Sequence, residues 1–331
     1  MTEDLFTPDE RVLSGATADI YFLRTRDAMQ AAGVNPIAVM EVFPADDGVL
    51  CGMREVIALL REVLQTDAEA WALAEGDRIS AKEVVLRVKA RYLSYGVYET
   101  AILGMLAGET GWATAAAECV AAGGSTPVVS FGARHVHPRT APYLDYAAMI
   151  GGCTGCSTTL GARLSATEPS GTMPHTMALC FGDTVEAALA FDRHIAPEVS
   201  RTVLVDTFMD EADESVRVAQ ALGDKLQAVR LDTPHELGGV TPELVWKVRA
   251  RLDNEGFSGV RIFVSGGVTP KRIREFMEAA APVDGFGVGS YISSAQPNDF
   301  TADLKEIDGH PIAKRGRTPG ITPNPRLKRI L

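Results

Sequence analysis

The runs TVLVDT (202–207), QAVRLDT (227–233), RIFVSGG (261–267) and VDGFGVGS (283–290) decide the fold. Each is a short apolar stretch that ends abruptly in Asp-Thr, Ser-Gly-Gly or Gly-x-Gly-Ser. Helical patterns separate them. DEADESVRVAQALG (210–223) carries acids in its first turn and a glycine at its end, as helix termini prefer. Thr241–Asn254 is the next predicted helix, and a third begins at Pro270, a favoured first-turn residue. The predicted strands are therefore 202–205, 227–231, 261–264 and 283–286. Strands alternating with helices imply right-handed crossovers and a parallel sheet. Four such units in succession, each strand short and rich in β-branched residues, point to a closed barrel.

Outward from this core the rhythm holds back to about Gly111 and then stops. Before it, Pro36–Val42 and Val84–Arg91 read as strands among helical stretches at Arg54–Leu64 and Tyr95–Leu106. After the last unit, LKEIDGHPIAKRGR (304–317) reads as a hairpin about Asp308-Gly309. The Pro-rich, basic TPGITPNPRLKRIL (318–331) reads as a surface tail that folds back, since a two-stranded hairpin is unstable alone. The expected organisation is an α/β sandwich from residues 1–110, joined by 296–331, and an α/β barrel over 111–295.

Composition narrows the function. The 331 residues, 46% hydrophobic and 23% charged, are those of an ordinary globular protein. No stretch approaches the roughly 20 uninterrupted apolar residues that cross a bilayer. MTEDLFTPDE lacks the basic and apolar regions of a signal peptide, so a cytoplasmic enzyme without a membrane partner is expected. A net charge of −11 argues against nucleic acid as partner but leaves small anions open, because a few arginines reverse the sign inside a cleft. Of the five cysteines, Cys153 and Cys156 form a C-x-x-C with no second pair, and free thiols are expected.

In parallel barrels the chemistry collects at the C-terminal ends of the strands. Those positions hold Asp206-Thr207, Asp232-Thr233, Ser265-Gly266-Gly267 and Gly287-Val288-Gly289-Ser290. The glycine loops either present backbone N–H groups to a phosphate or serve as tight turns. Arg230 and Asp232 alternate onto one side of their strand, where they either hold a diphosphate with its Mg²⁺ or close the barrel end as an ion pair. Ser130-Phe131-Gly132-Ala133-Arg134-His135-Val136-His137 tops another strand with three basic side chains in four residues. Downstream, His175 follows Gly171-Thr172 and precedes MALCFG, a strand-like run, as a candidate nucleophile or proton carrier.

Taken in order, these motifs resemble the nicotinate phosphoribosyltransferases. Gly171-Thr172-x-x-His175, Arg230-Leu231-Asp232-Thr233, the Ser265-Gly266-Gly267 loop and the Gly287-x-Gly289-Ser290 loop carry the likeness. Ala18-Asp19-Ile20-Tyr21-Phe22-x-Arg24-Thr25 and Ile307-Asp308-Gly309-x-Pro311-x-Ala313-Lys314-Arg315 extend it over about 14–317. The resemblance implies an irregular barrel of about seven strands with a split α/β sandwich domain, assembled as a homodimer or higher homo-oligomer. It implies nicotinate, phosphoribosyl pyrophosphate and ATP as substrates, with Mg²⁺ as cofactor. His175 would be phosphorylated by ATP, and Tyr21 would stack on the pyridine. Arg134, with His135 where larger members carry a second arginine, would meet the nicotinate carboxylate or the diphosphate. Thr172, Arg230, Asp232 and Thr233 with the two glycine loops would hold the phosphoribosyl group, and Asp232 and Asp206 the metal. The cysteine-free tail lacks the zinc cluster of some short members, so no structural zinc is expected. Quinolinate phosphoribosyltransferases and a non-catalytic nucleotide-binding paralogue are the competing readings.

Overall fold

A computed structural model describes residues 5–331. The chain forms two compact units, one running to Thr114 and resuming at Ala295, the other spanning Ala115–Ser294.

The first unit is built on strands β1 (Ile37–Pro44), β2 (Gly48–Val49), β3 (Glu69–Ala72), β4 (Arg78–Ile79) and β5 (Leu86–Arg91). The second contributes β6 (Val128–Ser130), β7 (Thr202–Leu204), β8 (Ala228–Leu231), β9 (Arg261–Val264) and β10 (Gly285–Val288). The chain then returns to the first with β11 (Phe300–Ile307), β12 (His310–Pro311) and β13 (Lys328–Arg329).

In the first unit a six-stranded sheet has the order β12-β11-β1-β5-β3-β13, and β2 pairs separately with β4. The ladders pairing β1 with β5 and β11, and β3 with β5 and β13, are all antiparallel. β1 is apolar apart from Glu41, and Ala38, Met40 and Val42 bury into a core shared with Leu59, Leu60 and Tyr95. The tail expected to fold back does so as an edge strand: β13 pairs with β3, and Ile330 N–H donates to the Ala70 carbonyl at 2.9 Å. Buried Glu41 fastens the approach to that tail by accepting from the Arg87 guanidinium at 2.7 Å and from the Thr322 N–H at 3.1 Å.

One helical and one strand expectation need correction. Tyr95–Leu106 breaks into short turns at Tyr92–Tyr95 and Gly96–Tyr98, followed by one helix, Glu99–Gly123, that continues far past Leu106. MALCFG is helical, within His175–Phe181.

Glu99 opens the long helix and is half-buried, so burial, aided by Asp303, pushes its carboxyl from 4.5 up to about 7. A raised value means that the protonated form favours the fold. That contribution is complete below about 4.5 and is lost as pH rises through 7. Glu99→Gln is therefore expected to raise the melting temperature at pH 8 and to leave it nearly unchanged at pH 4.5. Equal shifts at both values in thermal melts would contradict this.

The second unit carries the parallel sheet β6-β10-β9-β8-β7. Two irregular extended segments continue it beyond β6. Gly155 bridges to Val129 in parallel, and Ser170 N–H donates to the Cys156 carbonyl at 2.7 Å. The five parallel strands and residues 170–172 line a cavity of about 210 Å³, with Val129, Thr172, Thr202, Phe263 and Gly287 on its wall. Buried Asp145 locks one side: its carboxylate accepts from Ser130 Oγ at 3.0 Å and from the Thr158 N–H at 2.7 Å. The predicted strand 283–286 is shifted to 285–288. Asp284 instead caps the neighbouring strand, accepting the Ile262 N–H at 2.7 Å.

Candidate active site

The C-terminal ends of β6, β7, β8, β9 and β10 bring most of the expected residues together. At their centre lies Arg230, the third residue of β8, which lines the cavity. Its Nε donates to Ser265 Oγ at 2.8 Å, Nη1 to Thr172 Oγ1 at 2.9 Å, and Nη2 to Asp232 Oδ2 at 3.3 Å. Ser265 Oγ in turn donates to Asp232 Oδ1 at 2.7 Å, closing the ring. The Phe131 ring lies under the guanidinium, 4.7 Å from centroid to Cζ, a cation–π stack. Three strand ends and the 170–172 stave thus converge on one cation. Burial draws the Arg230 guanidinium below its ordinary value, and Arg134 adds to this from nearby while Asp232 and Asp206 oppose it.

Beside this ring His175 Nε2 lies 3.0 Å from Asp206 Oδ2. Asp206 follows β7 and is almost fully buried, whereas His175 is partly open. Burial pushes the Asp206 carboxyl above its ordinary value, the His175 bond draws it back, and the Asp232 charge pushes it up again. Oδ1 of Asp206 is buried without a partner, as is Oγ1 of Thr207. Both line an open depression of about 550 Å³ between the loops that follow β7 and β8, with Phe208, Leu237, Gly238 and Leu244.

The other expected residues distribute as follows. Arg134 and His135 form a single 3-10 turn after β6, both exposed, with His135 Nδ1 3.2 Å from Ser293 Oγ. Thr233 turns its hydroxyl to Glu211 Oε1 at 2.6 Å. Gly266 and Gly267 adopt left-handed φ of 81° and 63° and stay exposed, consistent with a turn that aims its N–H groups outward. Gly287 lies inside β10 rather than in the loop after it, Gly289 precedes the short helix Ser290–Ser293, and Ser290 opens that helix. Tyr21 belongs to the first unit, where its exposed ring packs on Phe22 at 4.3 Å.

Sequence reasoning missed Phe131, although it stood in the quoted loop; an aromatic beside strand-end cations was the available signal. It also missed Cys51, Glu75 and Glu109 in the first unit, whose ligating atoms lie within 4.8 Å of one another. Glu75 accepts the N–H groups of Gly52 at 2.9 Å and Arg54 at 3.1 Å, anchoring the helix Met53–Val63. Cys153 and Cys156 are buried and free.

A split antiparallel unit and a parallel barrel sheet with acids and glycine turns at its strand ends define the type II phosphoribosyltransferase class. Residues 19–109 match the N-terminal domain, and 112–303 the C-terminal domain, of quinolinate phosphoribosyl transferase. A nicotinate phosphoribosyltransferase of Mycobacterium tuberculosis is 32% identical over 318 residues, covering 91% of this chain and 67% of that one. One from Bacillus subtilis is 27% identical, covering 68% and 46%. The crystal structure of nicotinate-nucleotide pyrophosphorylase from Pyrococcus furiosus has a TM-score of 0.87 at 42% identity, covering 95% of this chain and 81% of that one. Human nicotinic acid phosphoribosyltransferase shares the fold, with a TM-score of 0.73 at 17% identity over 92% and 77%. The chain belongs to the quinolinate and nicotinate phosphoribosyltransferase family.

Proposed function

We propose that the chain joins nicotinate to phosphoribosyl pyrophosphate, forming nicotinate mononucleotide and pyrophosphate, with ATP consumed through a phosphohistidine at His175. The carrying observation is the His175–Asp206 pair, set beside the Arg230–Asp232 ring at the strand ends. An ionised Asp206 accepts from Nε2–H of His175, which leaves the Nδ1 lone pair free as the nucleophile. Nδ1 attacks the γ-phosphorus of ATP, the bond to the bridging oxygen breaks, and ADP leaves with that electron pair. The added charge favours ordering of cationic groups such as Arg134 around the second substrate.

In the transfer itself, the pyridine nitrogen forms its bond to the anomeric carbon as pyrophosphate departs with the electrons of the C–O bond. The transition state carries oxocarbenium character. No general base is needed, since the pyridine lone pair is free. Arg230 faces the leaving group, and the N–H groups of Gly266, Gly267 and Gly289 suit the ribose phosphate. Asp206 and Asp232 fit Mg²⁺. Two neighbouring carboxylates, with the Asp232 charge adding to the burial that pushes Asp206 up and one Asp206 oxygen orphaned, match a cation that takes one or two carboxylates and keeps its waters. When bound, that ion would supply charge to stabilise the departing pyrophosphate.

Nicotinate is preferred over quinolinate because the relative matched over most of this chain is a nicotinate phosphoribosyltransferase, and Arg134, exposed just after β6, suits a single carboxylate. A homo-oligomer suits the exposed Leu179 and Phe181 on the helix that begins with His175.

The test is product formation from phosphoribosyl pyrophosphate and Mg²⁺ with nicotinate, nicotinamide or quinolinate, each with and without ATP. Nicotinate mononucleotide from nicotinate alone, faster with ATP, is expected; carbon dioxide released from quinolinate overturns the reading. His175→Ala is expected to abolish both ATP stimulation and acid-labile labelling from γ-labelled ATP while slow basal transfer persists. Equal loss of stimulated and basal rates would give His175 a direct part in the transfer.

A further inference from the structure

The short turn His235–Leu237 follows β8 and projects an exposed imidazole between two diglycine bends. On one side are Gly238 and Gly239, with φ of 94° and 69°; on the other are Gly266 and Gly267, with φ of 81° and 63°. All four conformations are ones that L side chains rarely adopt. The imidazole fills the space that side chains would otherwise take. A Cβ on Gly267 would lie 2.9 Å from His235 Nε2, and one on Gly239 would lie 3.5 Å from Nδ1. The ring is therefore held directly against the Ser265-Gly266-Gly267 turn, whose two glycine N–H groups donate to no protein acceptor among the described residues. Its loop is tied down from behind: the Arg272 guanidinium bonds the Val240 carbonyl, and Leu237 and Gly239 N–H groups close onto Pro234.

We infer that His235 is a phosphate-binding residue of this chain, completing the Gly266-Gly267 cradle with an imidazole N–H. The inference rests on the phosphoribosyl reading of the site. Two free backbone donors on one turn suit a phosphoryl oxygen, and an imidazole seated on the same turn can donate to that group from the side. Nearby charge is consistent with this role. Asp232 lies behind Gly266, with its Oδ1 3.2 Å from where a Cβ on that glycine would sit, but it is engaged by Ser265 and Arg230. Arg272 is held by Glu275 and the Val240 carbonyl. His235 is thus the basic group seated on this turn with neither an acidic partner nor a carbonyl to neutralise it among the described residues. An exposed charge-assisted bond lost from such a site costs affinity of roughly tenfold.

The experiment compares wild type with His235→Ala, His235→Gln and His235→Lys, measuring KM for phosphoribosyl pyrophosphate, kcat, and calorimetric binding of ribose 5-phosphate. His235→Ala and His235→Gln are expected to raise KM and weaken ribose 5-phosphate binding about tenfold, with kcat and KM for the pyridine held. His235→Lys, which supplies an N–H donor without the ring, is expected to recover most of the loss. Unchanged KM and binding in His235→Ala, or loss in kcat alone, would overturn the inference. Failure of the phosphoribosyl reading looks different: wild type itself would neither turn over any pyridine nor bind ribose 5-phosphate.

Discussion

Arg230→Lys is expected to lower kcat/KM by about 10²–10³ even though it keeps the charge. The reason is the fork. Arg230 spreads three donors over Ser265, Thr172 and Asp232, and its flat face rests on Phe131. A lysine ammonium is a point donor on a flexible stem and can meet at most part of that set. Ser265 and Thr172 come from segments far apart in sequence, so losing the fork also loosens the turn that ends in Gly266-Gly267. Arg230→Met should do more. It leaves the Asp232 carboxylate, mostly buried, with only a serine hydroxyl, and breaking a buried pair typically costs ~3–5 kcal/mol. A lower melting temperature than that of Arg230→Lys should accompany its loss of activity. Steady-state kinetics with melts of both variants settle it: near-wild-type kcat/KM in Arg230→Lys would mean that the ring only closes the barrel end.

How much of this was written in the sequence depends on how each segment earns its structure. β7, β8 and β9 were legible to within a residue, because β-branched runs bounded by Asp, Gly and Pro leave few alternatives. So was the pairing of Arg230 with Asp232, which follows from alternation along one strand. The misreadings have local causes. His175–Phe181 looks like a strand because its apolar residues run together, yet only Ala178 is buried; a short apolar run has no period to betray a helix. Glu99–Gly123 runs past its predicted end at Leu106, straight through Gly108 and Gly111. Gly111 is there for contact: a Cβ on it would collide with the Gln296 carbonyl. The staves at 154–156 and 170–172 carry no β-branched run, and their place in the barrel rests on tertiary hydrogen bonds alone. The His175–Asp206 pair had no signature either, since 31 residues separate partners brought together by barrel closure.

Gly287→Ala is expected to damage stability and site together, through a route the sequence suggested for a different reason. Its backbone was read as a phosphate donor after the last strand. It stands inside β10, paired with Val129 of β6, and a Cβ there would lie only 2.2 Å from Cε2 of the Phe131 ring. Both neighbouring strands are fixed by their ladders, so the ring must move. Overpacking of this kind costs about 1–3 kcal/mol, which for a unit of this size lowers the melting temperature by roughly 3–10 °C. A displaced Phe131 also leaves the Arg230 face, so kcat/KM should fall more than stability alone explains. Adding Phe131→Leu separates the effects. The smaller side chain makes room for the new methyl, so the double variant should regain most of the lost melting temperature. It cannot regain the cation–π stack, and its activity should stay low. If the two substitutions simply add in stability, Phe131 and Gly287 are not in contact, and the packing that seats Arg230 must be sought elsewhere.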